Sequence, residues 1–420
     1  MNTLRQFLQH LVPQRLYRKL LLPYHFIWTI GSVLYYRFPA KKLVVIGVTG
    51  TKGKSSVSEM MHAVLMAGGH KTALSSTIHF VVGETARPNK FKMTLPGRGF
   101  IQKFLREAVD AGCTHAVIEI TSESALQYRH LFLDLNALIF TGLEKEHIES
   151  HGGMENYLQA KLRIGKALVR STKRPRTVVA NADNAYGKNF LALNVENSIP
   201  FSVTDVTDLS LTPTSVSYTY KDTLFTVPHP GEFSVRNALA VTKLAEVLGV
   251  SLTDTGRGLA SLKTIAGRAE RIEEGQNFLA VVDYAHTPDS LEALYKAYGE
   301  KRKICVLGNM GGGRDTWKRP VMGAIADSYC DEVILTDEDP CDEDPYQIVE
   351  AMAEGMKRKP SIVMERRDAI ADALSRAKEG DVVLITGKGT DPYILRAQGT
   401  REPWSDSQVV REELHKLLGK

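Results

Sequence analysis

At 420 residues the chain is too long for one ordinary hydrophobic core and points to two or three domains. Its 43% hydrophobic and 24% charged residues are those of a soluble globular protein. The net charge of +5 is unevenly placed: residues 1–42 hold Arg5, Arg15, Arg18, Lys19, Arg37, Lys41 and Lys42 and no acid, so the remainder is slightly acidic and a general nucleic-acid binder is excluded.

In chain order, the N-terminal arm (residues 1–41) comes first. Leu20–Tyr36 carries no formal charge, but it falls at or below the ~20 residues of a membrane span, contains Pro23 and His25, and has basic flanks on both sides. No small-residue cleavage site follows it. The reading is a helix packed on the body of the protein, with weak contact to a membrane surface as its alternative use.

Strands and helices then alternate. Leu43–Val48 reads as a buried strand and Val57–Ala67 as a helix ending at Gly68-Gly69. Ala116–Ile120, Ala137–Phe140 and Thr177–Ala180 read as further strands. Pro200–Pro230 alternates like antiparallel strands, and Glu232–Gly249 returns to helical spacing. A second series has strands at Leu279–Val282, Lys303–Leu307, Glu332–Leu335 and Val382–Ile385. The fold class expected is α/β: a P-loop ATPase-type domain with a parallel sheet over 42–265, and a Rossmann-like domain over 266–420. The four cysteines (Cys113, Cys305, Cys330 and Cys341) form no CxxC pair and have no histidine at ligand spacing. The spacing predicts neither a disulfide framework nor a zinc site, and suits a reducing cytoplasm.

Between the first strand and its helix the chain reads TGTKGKSS, which supplies Gly50, Thr51, Lys52, Gly53, Lys54, Ser55 and Ser56. A strand that feeds a Gly-rich loop and a helix N-terminus gathers backbone N–H groups around an anion. Lys54 suits the outer phosphates of a nucleoside triphosphate, and the Ser55 hydroxyl suits Mg²⁺. Gly47 stands one residue early for GxxxxGK[ST], so the loop is a TGTxGKS variant. The loop alone leaves the fate of the phosphate open. No base-reading element of a GTPase is evident, while a small-molecule kinase stays in play.

Further motifs follow: AVIEITSESALQYRH, HIESHGGMENYLQAK, NADN, GRAERI, VDYAHTPD, GGGRDTWKRPVMG, TDEDPCDEDP and ITGKGTDPY. As an ordered set they resemble the Mur ligase family, in its UDP-N-acetylmuramyl-tripeptide synthetase branch, from about Lys42 to the C-terminus. The resemblance implies an ATP- and Mg²⁺-dependent acid–amino-acid ligase of peptidoglycan precursor synthesis. ATP phosphorylates a carboxylate, and the amine of an amino acid displaces the phosphate. It also implies roles for individual residues. Ser55 and Glu119 hold one Mg²⁺ and His147 a second. Lys161 matches a lysine that the family carbamylates, turning a cation into a metal-binding anion. Asn237 and Arg268 match residues on the adenine and phosphates, and Asp283 and His286 match those near the ribose and phosphates. Lys54, Lys161, His147 and Arg268 form the implied catalytic set. Thr94 and Arg129 match residues that hold the acyl substrate, and Ser122, Asp339, Gly387 and Asp391 complete the substrate contacts. Domain closure over ATP near Gly267 is a further implication. The partners expected are a muramyl-peptide and an amino acid, with no nucleic acid, and the chain is expected to be a monomer.

Three departures from the family pattern stand out. About 40 basic and apolar residues occupy the place of the domain that holds the uridine diphosphate. A DNPR pattern, whose Arg binds the distal carboxylate of diaminopimelate, is replaced by Glu338-Asp339-Pro340-Cys341, which favours a diamine such as lysine. GKGHE becomes Gly387-Lys388-Gly389-Thr390-Asp391. A folylpolyglutamate-type ligase, a kinase and a membrane-associated scaffold are the competing readings.

Overall fold

The computed structural model describes residues 14–97, 99–145, 151–313 and 315–420, with side chains from Pro23 onward. The chain divides into two compact units. One comprises residues up to Leu143 with Glu155–Phe201 and Ala240–Ser251; the other comprises Glu144–Met154, Ser202–Leu239 and Leu252–Lys420.

The first unit is built on β1 (Val44–Thr49), β2 (Thr72–Ser75), β3 (His79–Val82), β4 (Thr85–Pro88), β5 (His115–Glu119), β6 (Ala137–Phe140), β7 (Thr177–Asn181) and β8 (Asn197–Phe201). They form one eight-stranded sheet in the order β4-β3-β2-β5-β1-β6-β7-β8. Strands β2, β5, β1, β6, β7 and β8 run parallel, and β3 and β4 are antiparallel additions at one edge. The central strands are apolar without alternation because helices cover both faces of a parallel sheet. The Phe100–Asp110 helix buries Ile101, Phe104, Leu105 and Ala108, the spacing of one helical face. Pro200 lies in β8 of this sheet rather than in the antiparallel series expected from residue 200 onward. The Gln14–Tyr35 helix precedes the sheet, and Lys173 Nζ ties the following turn down by donating to Ala40 O at 2.7 Å and Leu43 O at 2.5 Å. Among the described residues no helix is long and apolar enough to cross a membrane.

The second unit contains an antiparallel sheet of β9 (Thr207–Leu211), β10 (Val216–Tyr220) and β11 (Thr223–Val227). Its larger sheet uses β12 (Glu270–Ile272), β13 (Leu279–Asp283), β14 (Lys303–Leu307), β15 (Glu332–Leu335), β16 (Ser361–Ile362) and β17 (Val382–Thr386), in the order β12-β13-β17-β14-β15-β16. Only β12 of these six is antiparallel to its neighbour. Alternate residues of one strand feed two cores, as the pleat requires. Cys305 and Leu307 join Leu291, Tyr295, Met322 and Val349 on one face. Ile304 and Val306 join Ile370, Leu374, Val410 and Leu414 on the other. A hairpin of β18 (Tyr393–Leu395) and β19 (Arg401–Pro403) follows.

The cysteine reading is corrected here. Cys305 on β14 and Cys330, just after the Lys318–Tyr329 helix, form a disulfide with their Cα atoms 6.2 Å apart. The helix returns antiparallel to the strand and brings its end beside it. A separation of 25 residues set by tertiary packing leaves no sequence signature.

The second unit also buries a bidentate ion pair. Arg366 donates to both oxygens of Asp406 at 2.8 Å each, with the pair 1% and 0% exposed. Removing one partner leaves a buried charge uncompensated, so Asp406→Ala should cost about 3–5 kcal/mol in urea unfolding. A loss below ~1 kcal/mol would contradict this account.

Three buried histidines weaken the fold in acid. Burial pulls His115, His130 and His229 from the ordinary 6.5 down to about 4, helped by His70, Arg163 and Arg271 respectively. The unfolded chain therefore binds more protons between about 6.5 and about 4, so stability is full above 6.5 and falls as the pH drops through that window. Each histidine contributes up to about 1.4 kcal/mol per pH unit there. Urea midpoints should fall steadily from pH 7 to pH 5, with a shallower fall in His130→Asn; a flat profile would refute this.

Candidate active site

Strand β1 runs into the loop Gly50–Gly53, and the Lys54–Ala67 helix starts directly after it. Gly50 has φ +152°, and a Cβ there would lie 1.9 Å from Thr141 Oγ1, so only glycine fits. The loop is pinned from below: Thr51 N–H donates to Gly142 O at 2.8 Å, and Thr141 Oγ1 donates to Lys52 O at 2.5 Å. Gly53, with φ +78°, sits at the helix N-terminus and leaves its first turn open. Lys54 Nζ reaches back to Thr51 O at 2.7 Å, and Ser56 follows, half-buried, in the first helical turn.

Ser55 points to the end of β5. Its hydroxyl lies 3.2 and 3.1 Å from the two oxygens of Glu119, which is 1% exposed. Glu119 also accepts from Thr77 N at 2.8 Å and from Thr77 Oγ1 at 3.0 Å. Thr77 in turn lies 2.8 Å from Thr94 Oγ1. A single line of hydrogen bonds thus runs from the helix start through Glu119 to Thr94. Arg129 borders the same loop: it donates to Leu95 O at 2.5 Å and to Gln127, and burial lowers the pKa of its guanidinium. Ser122 is buried in the short Ser122–Leu126 helix, capped by Thr121, that follows β5.

Lys161, 1% exposed on the Met154–Val169 helix, donates to Gly50 O at 2.7 Å. It lies over the Tyr157 ring at 4.8 Å, and the Tyr157 hydroxyl is 3.2 Å from Thr51 Oγ1. Lys161 is therefore built into the wall of the phosphate loop. His147 lies outside the described residues. Among those described, no group of three or more His, Cys, Asp or Glu could hold a metal unaided. Ser55 and Glu119 form a hard-oxygen pair of the kind that binds Mg²⁺ when phosphates and water supply the remaining ligands.

A second set of expected residues gathers at the carboxyl ends of β13, β15 and β17, where open α/β sheets bind ligands. Asp283 accepts from Ala269 N and Ala285 N at 2.6 Å each; burial raises its pKa, against the pull of Arg268. Arg268 stacks over Tyr284 at 4.6 Å and donates to Gly267 O at 2.8 Å. His286 Nδ1 is 2.6 Å from Tyr284 O. Gly387 N–H donates to Asp283 O at 3.2 Å, and Asp391 is buried near Lys388 at 3.6 Å. Asn237 is half-buried on the Glu232–Val247 helix.

The acids of TDEDPCDEDP are largely engaged within the fold. Asp339 accepts from Lys388 Nζ at 2.7 Å and from Leu395 N at 2.7 Å; Asp337 pairs with Arg396, Glu343 with Arg319, and Asp344 caps a helix. Glu338 differs. Its Oε2 is buried with no hydrogen-bond partner among the described residues, and burial raises its pKa. Sequence reasoning missed Thr77 and Tyr157 as parts of these sites, and neither had a local signal; Glu338 was read only as part of the acid run that replaces the DNPR pattern.

With this geometry in place, comparison with known proteins is informative. The Mur ligase middle domain matches residues 48–245, and the Mur ligase, glutamate ligase domain matches residues 267–389. A UDP-N-acetylmuramoyl-L-alanyl-D-glutamate--2,6-diaminopimelate ligase of Caldanaerobacter subterraneus is 33% identical over 395 residues, covering 90% of this chain and 80% of that one. A solved structure of a ligase of the same name aligns with a TM-score of 0.61 at 28% identity, covering 90% of this chain and 79% of the other. Mycobacterium tuberculosis folylpolyglutamate synthase shares the fold, with a TM-score of 0.71 at 16% identity over 94% and 95% of the two chains. The chain belongs to the Mur ligase family of ATP-dependent ligases.

Proposed function

We propose that the protein uses ATP to activate the terminal carboxylate of a UDP-N-acetylmuramoyl peptide and joins an amino acid to it, a step of peptidoglycan precursor synthesis in the cytoplasm. The observation that carries the reading is the 33% identity over 395 residues to a ligase of that substrate class. The continuous line Ser55–Glu119–Thr77–Thr94 supports it, because it connects a phosphate loop to a loop bordered by an arginine. The domain organisation we favour is an ATP-binding domain over 42–265 and a second domain over 266–420.

A carboxylate oxygen attacks the γ-phosphorus of ATP, and ADP leaves. The amine nitrogen then attacks the acyl carbon of the mixed anhydride, phosphate departs, and the nitrogen gives up a proton. Such transfers depend on positioning and charge neutralisation rather than on a covalent enzyme intermediate. Backbone N–H groups at the end of the loop and the start of the helix cradle the phosphates, Thr51 N–H being held by Gly142 O, and Lys54 turns from Thr51 O to the outer ones. Mg²⁺, held by Ser55 and Glu119, would neutralise phosphate charge. Arg129 orients the acceptor carboxylate through its planar fork. Lys161, as carbamate, would add a further anion beside the loop. Arg268, Asp283 and His286 serve the nucleotide, and Asp339, Gly387 and Asp391 serve the amino acid.

Lysine is the amino acid to test first. Cys341 offers no fixed positive charge for a distal carboxylate, and the Glu338 carboxyl, whose Oε2 has no partner among the described residues, is a candidate for an amine. The density of acids is not the reason, because Asp339 is already paired with Lys388. ADP release should require both the UDP-N-acetylmuramoyl dipeptide and an amine, with lysine ahead of diaminopimelate. Faster use of diaminopimelate would end the lysine assignment, and a stable phosphorylated product without amine would end the ligase reading. Lys161→Ala should lower amide formation by ~100-fold or more, the scale of a lost electrostatic group; near-normal turnover would remove Lys161 from the mechanism. Thr77→Val, which cuts the link between Glu119 and Thr94, should cost about 1–3 kcal/mol in stability and reduce kcat/KM. Unchanged values of both would show that the link does no work.

A further inference from the structure

The Gln14–Tyr35 helix turns an apolar face outward. Tyr24, Ile27, Trp28, Leu34 and Tyr35 follow one another at helical spacing, and all are exposed, with Ile27 at 67%, Leu34 at 58% and Tyr35 at 78%. The opposite face is already used. Ser32 and Val33 are buried, and a Cβ at Gly99 would come within 2.7 Å of Ser32 Cβ; Phe26, itself 41% exposed, lies at the margin against Tyr128 with ring centres 5.6 Å apart. The outward stripe is therefore surplus to the packing of this unit. It ends at Arg37, Lys41 and Lys42, all exposed, and residues 1–42 contain no acid.

We propose that this helix lies in the plane of an anionic membrane surface, with Ile27, Leu34 and Tyr35 entering the headgroup–acyl boundary and Arg37, Lys41 and Lys42 on the lipid phosphates. Charge complementarity selects this occupant. A stripe flanked only by cations matches a negative surface, whereas a second copy would bring its own cations against them. The aromatic residues fit the same depth, since Tyr and Trp favour the water–lipid boundary. The helix does not span, because no described helix is long and apolar enough to cross.

The test is sedimentation of the full-length protein with phosphatidylglycerol-containing vesicles and with pure phosphatidylcholine vesicles, at low salt. The protein should sediment with the anionic vesicles at least tenfold more strongly than with the neutral ones. Replacing Ile27, Leu34 and Tyr35 by Ser, or Arg37, Lys41 and Lys42 by Gln, should each reduce binding at least tenfold at an unchanged thermal midpoint. Absence of binding, equal binding to neutral vesicles, or full binding by the folded Ser variant would overturn the proposal. So would a lipid-free dimer, seen by light scattering, that the Ser variant dissociates, because the stripe would then belong to a second copy.

Discussion

The phosphate end of the first unit depends on where one buried carboxylate is held. Glu119 closes strand β5 and accepts hydrogen bonds from Ser55 and from both the N–H and hydroxyl of Thr77. Those donors belong to the first turn of the Lys54–Ala67 helix and to the loop after β2, so a single side chain fixes the mutual position of three segments. Neutral donors orient the carboxylate without supplying a counter-charge. That is a suitable arrangement for a group whose counter-charge arrives with a nucleotide and its cation. Lys161 reaches the phosphate loop as well, donating to the Gly50 carbonyl.

The second unit handles acids in the opposite way. Asp339 is matched to Lys388, Asp337 to Arg396, Glu343 to Arg319 and Asp406 to Arg366. These pairs fasten the loops that leave the parallel strands. Burial makes them expensive to break, even though their net contribution to stability over an apolar substitute is small. A dense acidic run is thus a poor guide to substrate charge. What distinguishes Glu338 is an oxygen without a partner among the described residues where its neighbours are satisfied.

Parallel strands were the most legible elements. Ala137–Phe140, Lys303–Leu307 and Glu332–Leu335 coincide with the sequence reading, because burial on both faces demands an uninterrupted apolar run. Strands β3 and β4 escaped it: they are four residues each, antiparallel at the sheet edge, and β4 is fully exposed and ends in Pro88. The phosphate loop was legible because its strand, glycines, lysine and helix are contiguous. Thr77 was not, since a threonine in a Ser-Ser-Thr run carries no periodic or spacing signal, and its role appears only when β2 and β5 pair side by side. The Cys305–Cys330 pairing is illegible for the same reason.

The arm is read as a packed helix from the length of its uncharged run, and one face does pack, with Ser32 and Val33 buried. In the structure the contacts with Tyr128 and Gly99 fall on the side that carries Phe26 and Ser32, while the stripe of Tyr24, Ile27, Leu34 and Tyr35 faces away. Leu20–Tyr36 is uncharged because both faces have apolar work, one against the protein and one outward. No described helix is long and apolar enough to cross a bilayer, which leaves lying on one. Charge decides between these uses, because residues 1–42 carry cations and no acid, which matches a negative surface.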